Sequence, residues 1–563
     1  MGFYSYSFGK EFREMFDIKI VNGTIVDGTG EARFKGDVGI TGDKITAIGD
    51  LSNAEANQTI NAEGKFVSPG FIDFHTHSDL SLVYDRYTRS RIYSGVTMDV
   101  VANCGIGVAP IREERKQELI DYLGTRIIGT IPAKLELPWN TMEEYFNYLD
   151  ANTPAVNVVG YVAHGPVRID EMGFSKEKAT PQQLKNMKAE VRKAMEAGCV
   201  ALSSGLVYLP GAYTTKEELA ELCKELIPYN GYYISHIRDE GDEEMDALDE
   251  AIYIAKTAGV PLHISHLKIM GHSNFGKIDE VIAKLDAAEA EGLEITFDCY
   301  PYAAGMTSLG ALLPPWAFEG GVENMIQRLS VQENRERIVK ELKDGIPGWQ
   351  CFYRMAGGWD GVVLASVMTE KNKYVEGKKL SEVAKINEED PFDTFFRLLI
   401  EEKSKIQVVV FTQGQEDTDK VVCHPKTCFG SDSMDLSTEG LLSIGKPHPR
   451  AFGTFGRIFA HYVREKGLLT FEEAVKKMTY LSAKRLGIVN ERGLLKENYF
   501  ADITIFDPEV IADKATYDDP KQYTVGVDYV IVNGKIALAD GKQTDICAGR
   551  VIKNPSRFGK KNG

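Results

Sequence analysis

Between Phe16 and Asp50 apolar and polar residues alternate almost one for one, in FDIKIVNGTIVDGTG and then GDVGITGDKITAIGD, with Asn-Gly, Asp-Gly and Gly-Asp pairs breaking the rhythm. Period-two patterning interrupted by such pairs predicts antiparallel hairpins, because successive strand side chains face opposite sides. The same pattern returns near the other end, in FADITIFDP and VDYVIVNGKIALADGK. Two hairpin-rich ends predict one small β-sandwich domain built from both termini, residues 1–68 and 485–563.

The stretch between them, 69–484, alternates short apolar runs with long segments of helical periodicity, which predicts parallel βα units. The candidate strands are FIDFH, TMDVVANC, AVNVVGYVAH, CVALSSG, YYISH, PLHISH, EITFDCY and TCFGSD. Eight such strands predict an α/β fold of the (β/α)8 TIM-like barrel type, whose reactive groups sit at the C-terminal ends of strands. Seven of the eight end at or beside His, Cys, Asp or Tyr, and the fourth ends in Ser203-Ser204. An insertion between strands 7 and 8, about 303–425, carries helical patterns in VENMIQRLSVQENRERIVKELK and DPFDTFFRLLIEEK. A connection of that length predicts a lid or binding insertion.

Length and charge narrow the classes of function. A chain of 563 residues with 43% apolar content can bury a large core. A net charge of -17 argues against nucleic acid or an anionic membrane as partner, and leaves a small molecule bound in a locally positive pocket. No run of about 18 apolar residues is present, and MGFYSYSFGKEFREMF lacks an apolar core with a cleavage site, so the expectation is a cytoplasmic protein. Eight scattered cysteines without a CxxC pair fit a reducing compartment, most of them as small buried apolar groups. The Lys-rich tail KNPSRFGKKNG reads as a frayed end.

The chemistry gathers at strand ends. His75 and His77 are two apart, so both project from one strand end toward one point, where two imidazoles can hold a divalent metal. His236 and His266 end the fifth and sixth strands; His263, three residues before His266, faces the other way, and His164 lines the pocket or caps a loop. Asp432 ends the eighth strand, where a carboxylate can bind a metal and accept a proton from water, or cap the helix that follows.

The HTH after strand one, single histidines after strands five and six and an aspartate after strand eight resemble the amidohydrolase superfamily. Many two-metal members of that superfamily bridge their ions with a carboxylated lysine on strand four, whereas CVALSSG has no lysine and strand two supplies ANCGIGVAP. A cysteine in that place resembles the N-acyl-D-amino-acid deacylases, the D-aminoacylase family, as do ALSSGLVYLPGAY, SHIRDEG, ISHLK, FDCYPYAAGMTSL, LLPPW and HPRAFGTFGRI. The resemblance implies a tightly held zinc on Cys104, His236 and His266, and a weaker second site on His75, His77 and the shared Cys104. It implies Asp432 as the catalytic acid/base, with Lys268, Tyr300 and Arg450 binding the substrate carboxylate. The segment between Asp432 and Arg450 is longer than in the better-known members, which bears on pocket shape.

The activity implied is zinc-dependent hydrolysis of N-acyl-D-amino acids to a carboxylic acid and a free D-amino acid. Cleavage of dipeptides with a C-terminal D-residue presents the same amide and carboxylate. Hydrolysis of cyclic amides, as in hydantoinases or dihydroorotases, is a further alternative whose representatives usually keep the strand-four lysine. A catalytically inactive scaffold would be expected to have lost ligands or the strand-eight acid, and all six residues are present.

Overall fold

In a computed structural model, which describes residues 15–126 and 136–558, the alternating N-terminal segment forms the strands Phe16–Ile25, Phe34–Thr41 and Lys44–Gly49. The first fourteen residues and the last five of the Lys-rich tail lie outside the described residues. Ala56–Asn61 and Phe66–Pro69 follow, and four strands from the other end of the chain complete one continuous nine-stranded sheet. The seam between the termini is Phe66–Pro69, which pairs antiparallel with Ile503–Phe506. Phe16–Ile25 changes partner along its length, from 56–61 to 66–67, across a bulge between Ile20 and Gly23. Bulges bend strands, so one sheet can fold around its own apolar face. Ile18, Ile20, Val38, Ile45, Ile503 and Ile531 fill that face.

All eight apolar runs of the middle contain a parallel strand. The first three are Phe71–Asp73, Val96–Val101 and Asn157–Gly160, the last continuing after Tyr161 as Val162–Ala163. The fourth to eighth are Ala201–Gly205, Tyr232–His236, Leu262–Ile264, Ile295–Cys299 and Thr427–Phe429. They pair in chain order as two arcs that share the third strand. At the opposite edges Phe74 N–H donates to Phe429 O at 3.1 Å, linking the first strand to the eighth. The sequence sets the helix boundaries by local chemistry: Pro181–Ala197 starts in a Thr180/Gln183 capping box with proline in its first turn. The helices bury Val191, Leu219, Ile254 and Leu285 in the same cluster as Leu202 and Phe297 of the strands.

The long connection folds around its own core. Gly305–Ser308, Gln407–Val410 and Val362–Ser366 form an antiparallel sheet with Gln407–Val410 in the middle. Helices Val322–Leu329, Gln332–Asp344 and Pro391–Glu401 occupy the two predicted helical stretches. Leu309, Trp359, Phe395, Leu399 and Val408 pack together beneath them. Among the described residues no helix is long and apolar enough to cross a membrane. All eight cysteines are free thiols, six of them buried.

Candidate active site

The strand ends deliver their polar side chains to one cavity. Cys104, after the second strand, is buried with its Sγ 3.2 Å from His75 Nε2 and 3.3 Å from His266 Nε2. His266 Nε2 lies 2.9 Å from His236 Nδ1. Asp432 Oδ1 lies 3.1 Å from His77 Nε2 and 3.6 Å from His75 Nε2. The structure thus brings the four histidines, the cysteine and the aspartate singled out in the sequence around one point.

Backbone conformation is part of this construction. Cys104, His266 and Asp432 have φ of 53°, 34° and 49°, the left-handed region that side chains with a Cβ avoid. Such residues cost on the order of 1 kcal/mol or more each, and they persist where the surrounding fold forces them. Close approach also requires glycine: a Cβ on Gly430 would collide with His75, so only glycine lets the eighth strand pass the first at this height.

The electrostatics are those of an ion-ready cluster. Burial alone would raise the Cys104 thiol, but His75 and His266 facing it hold it well below the ordinary thiol range. Burial opposes charge on His75 as well, yet Asp298 and Cys104 hold its pKa well above the usual imidazole value. For His266, burial and Lys268 act downward, while Glu240 and Cys104 carry its pKa up to about 9. Asp432 would be raised by burial, and is instead held well below the carboxylate range by Arg450, with His77 assisting.

The donor atoms of His75, Cys104, His266 and Asp432 all lie within 4.8 Å of one another, and these side chains are buried. A thiolate, imidazoles and a carboxylate at that spacing suit zinc, so the residues fit the metal that the sequence implied.

Lys268, Tyr300 and Arg450 line the same cavity. The Lys268 ammonium and the Arg450 guanidinium lie 5.8 and 4.6 Å from the Tyr300 ring centroid. The Tyr300 hydroxyl accepts from Gln413 Nε2 at 3.0 Å. The long segment between Asp432 and Arg450 contributes Met434, Leu436, Ile444 and Pro447 to the wall, and the insertion contributes Met306, Phe352 and Val410.

His164 is not among the cavity-lining residues: it starts a helix, buried against Thr214 at 3.5 Å and Glu218 at 3.6 Å. His263 is buried with Nε2 3.0 Å from Asp298 Oδ2. Three residues at the centre went unnoticed in the sequence. Asp298, inside the seventh strand, accepts from the His266 backbone N–H at 2.9 Å and lies 3.1 Å from His75 Nδ1, the nitrogen remote from Cys104. Glu240 faces Lys268, and Tyr208 packs its ring 5.2 Å from that of His236. The polar residue within EITFDCY was a signal for Asp298, and Glu240 lies within SHIRDEG, which carried part of the family resemblance without giving this residue a role.

The amidohydrolase family model matches residues 58–538. The chain belongs to the amidohydrolase family. A D-aminoacylase of Alcaligenes xylosoxydans xylosoxydans is 33% identical over 95% of this chain and 97% of its own. An N-acyl-D-glutamate deacylase of the same organism is 31% identical over 93% of both chains. Among solved structures, the N-acyl-D-glutamate deacylase of Bordetella bronchiseptica, in complex with zinc and a phosphonate inhibitor that mimics the tetrahedral intermediate, matches with a TM-score of 0.78. It is 30% identical and covers 96% of this chain and 100% of that one. In this amidohydrolase Ser203 and Ser204 occupy the end of strand four; Ser203 Oγ donates to Ala102 O and Ser204 Oγ lies 2.7 Å from Tyr233 Oη, so no lysine enters the centre there.

Proposed function

We propose that this amidohydrolase removes the acyl group from N-acyl-D-amino acids, in a closed (β/α)8 barrel whose two arcs are the strands described above. The observation that carries the reading is the division of one cavity between a thiolate-centred donor cluster and the Lys268, Tyr300, Arg450 group. The first suits an electrophilic metal and the second a carboxylate, so an amide flanked by a carboxylate spans them.

Cys104, His236 and His266 would hold one zinc ion tightly, and His75, His77 and the shared Cys104 a weaker second. Zinc so held supplies carbonyl polarisation and a water acidic enough to ionise near pH 7. Arg450 binds the substrate carboxylate as a fork of parallel N–H donors, with Lys268 and the Tyr300 hydroxyl completing the seat. Fixing that end aligns the scissile carbonyl, and alignment is itself a large part of the rate. Asp432 is ionised and so able to take a proton from the attacking water. It returns that proton to the leaving nitrogen, because an amine anion is too basic to depart unprotonated.

The test is amine release by zinc-loaded protein from matched N-acyl-D- and N-acyl-L-amino acids, with dipeptides and hydantoins alongside. Turnover confined to D-configured N-acyl carboxylates is the expected result. Turnover of cyclic amides alone, or none with zinc verified as bound, would sink the assignment.

A further inference from the structure

Glu240 lies four residues beyond His236 and is 4% exposed. Its Oε1 stands 2.6 Å from Lys268 Nζ and 3.0 Å from His266 Nδ1. Its Oε2 stands 3.6 Å from His236 Nε2. The backbone is pinned on both sides: Glu240 N–H donates to Gln350 Oε1 of the insertion at 2.8 Å, and Glu240 O accepts from Met270 N–H at 2.6 Å.

Hydrogen-bond chemistry says what this carboxylate is for. An imidazole that ligates through one nitrogen carries its proton on the other, and that N–H needs an acceptor. His266 presents Nε2 to Cys104, so its proton belongs on Nδ1. Lys268 Nζ is 2.7 Å from Nδ1, but an ammonium has only donors, which leaves Glu240 Oε1 as the acceptor. His236 presents Nδ1 to the same centre, so its proton belongs on Nε2, an atom with no hydrogen-bond partner among the described residues and with Glu240 Oε2 facing it. The ammonium that would meet the substrate carboxylate is held by the same Oε1.

We propose that Glu240 is a positioning residue that serves both halves of the site: it fixes the tautomer and tilt of His236 and His266, and it anchors Lys268. The substrate half of this rests on the deacylase reading; the metal half does not. The competing arrangement is a metal held by His236, Glu240 and His266, which themselves offer three donor atoms within 4.8 Å. In that arrangement Glu240 would be a ligand.

The experiment uses the full chain with Glu240→Gln, and Glu240→Asp as a milder change should the first fail to fold. Zinc affinity is read by competition with a chromophoric chelator, zinc stoichiometry by elemental analysis, and KM and kcat on zinc-saturated protein. In Glu240→Gln the zinc affinity falls about 10- to 100-fold with stoichiometry at saturation unchanged. KM rises roughly tenfold, more than kcat falls. Lys268→Met raises KM, and adding Glu240→Gln to it raises KM little further. Unchanged zinc affinity in a folded Glu240 variant overturns the proposal, and so does a lower zinc stoichiometry at saturation, which would make Glu240 a ligand. If the parent protein turns over no N-acyl-D-amino acid, the deacylase reading fails, and the chelator result still decides the metal half by itself.

Discussion

Asp432 and Arg450 form an ion pair, Oδ2 to Nη1, at 2.8 Å inside the cavity. The residue proposed to move the proton is therefore tied to the residue proposed to seat the substrate carboxylate. In the proposed function an arriving carboxylate would compete with Asp432 for the same guanidinium, so seating the substrate would loosen the general base at the moment it is needed.

Arg450→Lys keeps the charge and discards the fork. KM for N-acyl-D-amino acids should rise about 10- to 100-fold, the loss of one charge-assisted bidentate contact. Initial-rate kinetics on zinc-loaded protein check this, and an unchanged KM would remove Arg450 from the carboxylate seat.

Asp432→Asn keeps the shape and removes the base. A kcat lower by about 10²- to 10⁴-fold with zinc content intact is expected, the usual contribution of a positioned acid/base. Full activity in a zinc-replete Asp432→Asn protein is the outcome that refutes the assigned role.

Cys104 is the sulfur on which two imidazoles converge. Cys104→Ala should lower bound zinc and abolish turnover together. Elemental analysis after dialysis measures the metal directly, and parental zinc content in that variant would rule out a bridging thiolate.

The raised His266 pKa, about 9 without metal, gives zinc uptake a pH signature. Below that value the imidazole is protonated and must lose its proton before Nε2 can ligate; above it, no such proton remains. Proton release on adding zinc to metal-free protein in weak buffer should be larger at pH 7.5 than at pH 9.5, as read with an indicator dye. Equal release at the two pH values would contradict the assignment.

Between the cavity-lining Met434 and Leu436, burial pushes Asp435 up to about 7 although Arg91 acts downward. A carboxyl whose folded pKa exceeds its unfolded value near 4 loses native stability as pH rises between those values and stays unfavourable above. Relative to the parent, Asp435→Asn should therefore be more stable at pH 8 than at pH 5. Urea unfolding at the two pH values tests this, and a difference of opposite sign would count against a neutral Asp435 in the fold.

Much of the site was legible because polar residues ending apolar runs have few structural reasons to be there; His75, His77, His236, His266 and Asp432 stood out that way, whereas Cys104 entered only through the family resemblance. What stayed hidden depends on the path of the chain in three dimensions. The left-handed backbone at Cys104, His266 and Asp432 leaves no trace in residue type. Glu240 lay within the matching motif SHIRDEG without a role of its own, since its value lies in which nitrogens its two oxygens face. His263 was read as turned away, and its contact with Asp298 depends on two strands lying side by side, which no spacing within one strand reveals. The terminal hairpins were legible from alternation, while the partner switch along Phe16–Ile25 was not, because pairing is a property of two segments.

The insertion carries Met306, Phe352 and Val410 into the cavity on a scaffold with its own buried cluster, apart from the strands that hold the reacting groups. Part of the cavity wall is therefore encoded apart from the strand ends that carry the donor cluster. Substitutions in the insertion wall can retune which acyl group or side chain is admitted while leaving the metal-binding strand ends as they are. Gln350 and Gln413 are exceptions: Gln350 Oε1 accepts from Glu240 N–H and Gln413 Nε2 donates to the Tyr300 hydroxyl, so changing either residue of the insertion would also disturb the groups that do the chemistry.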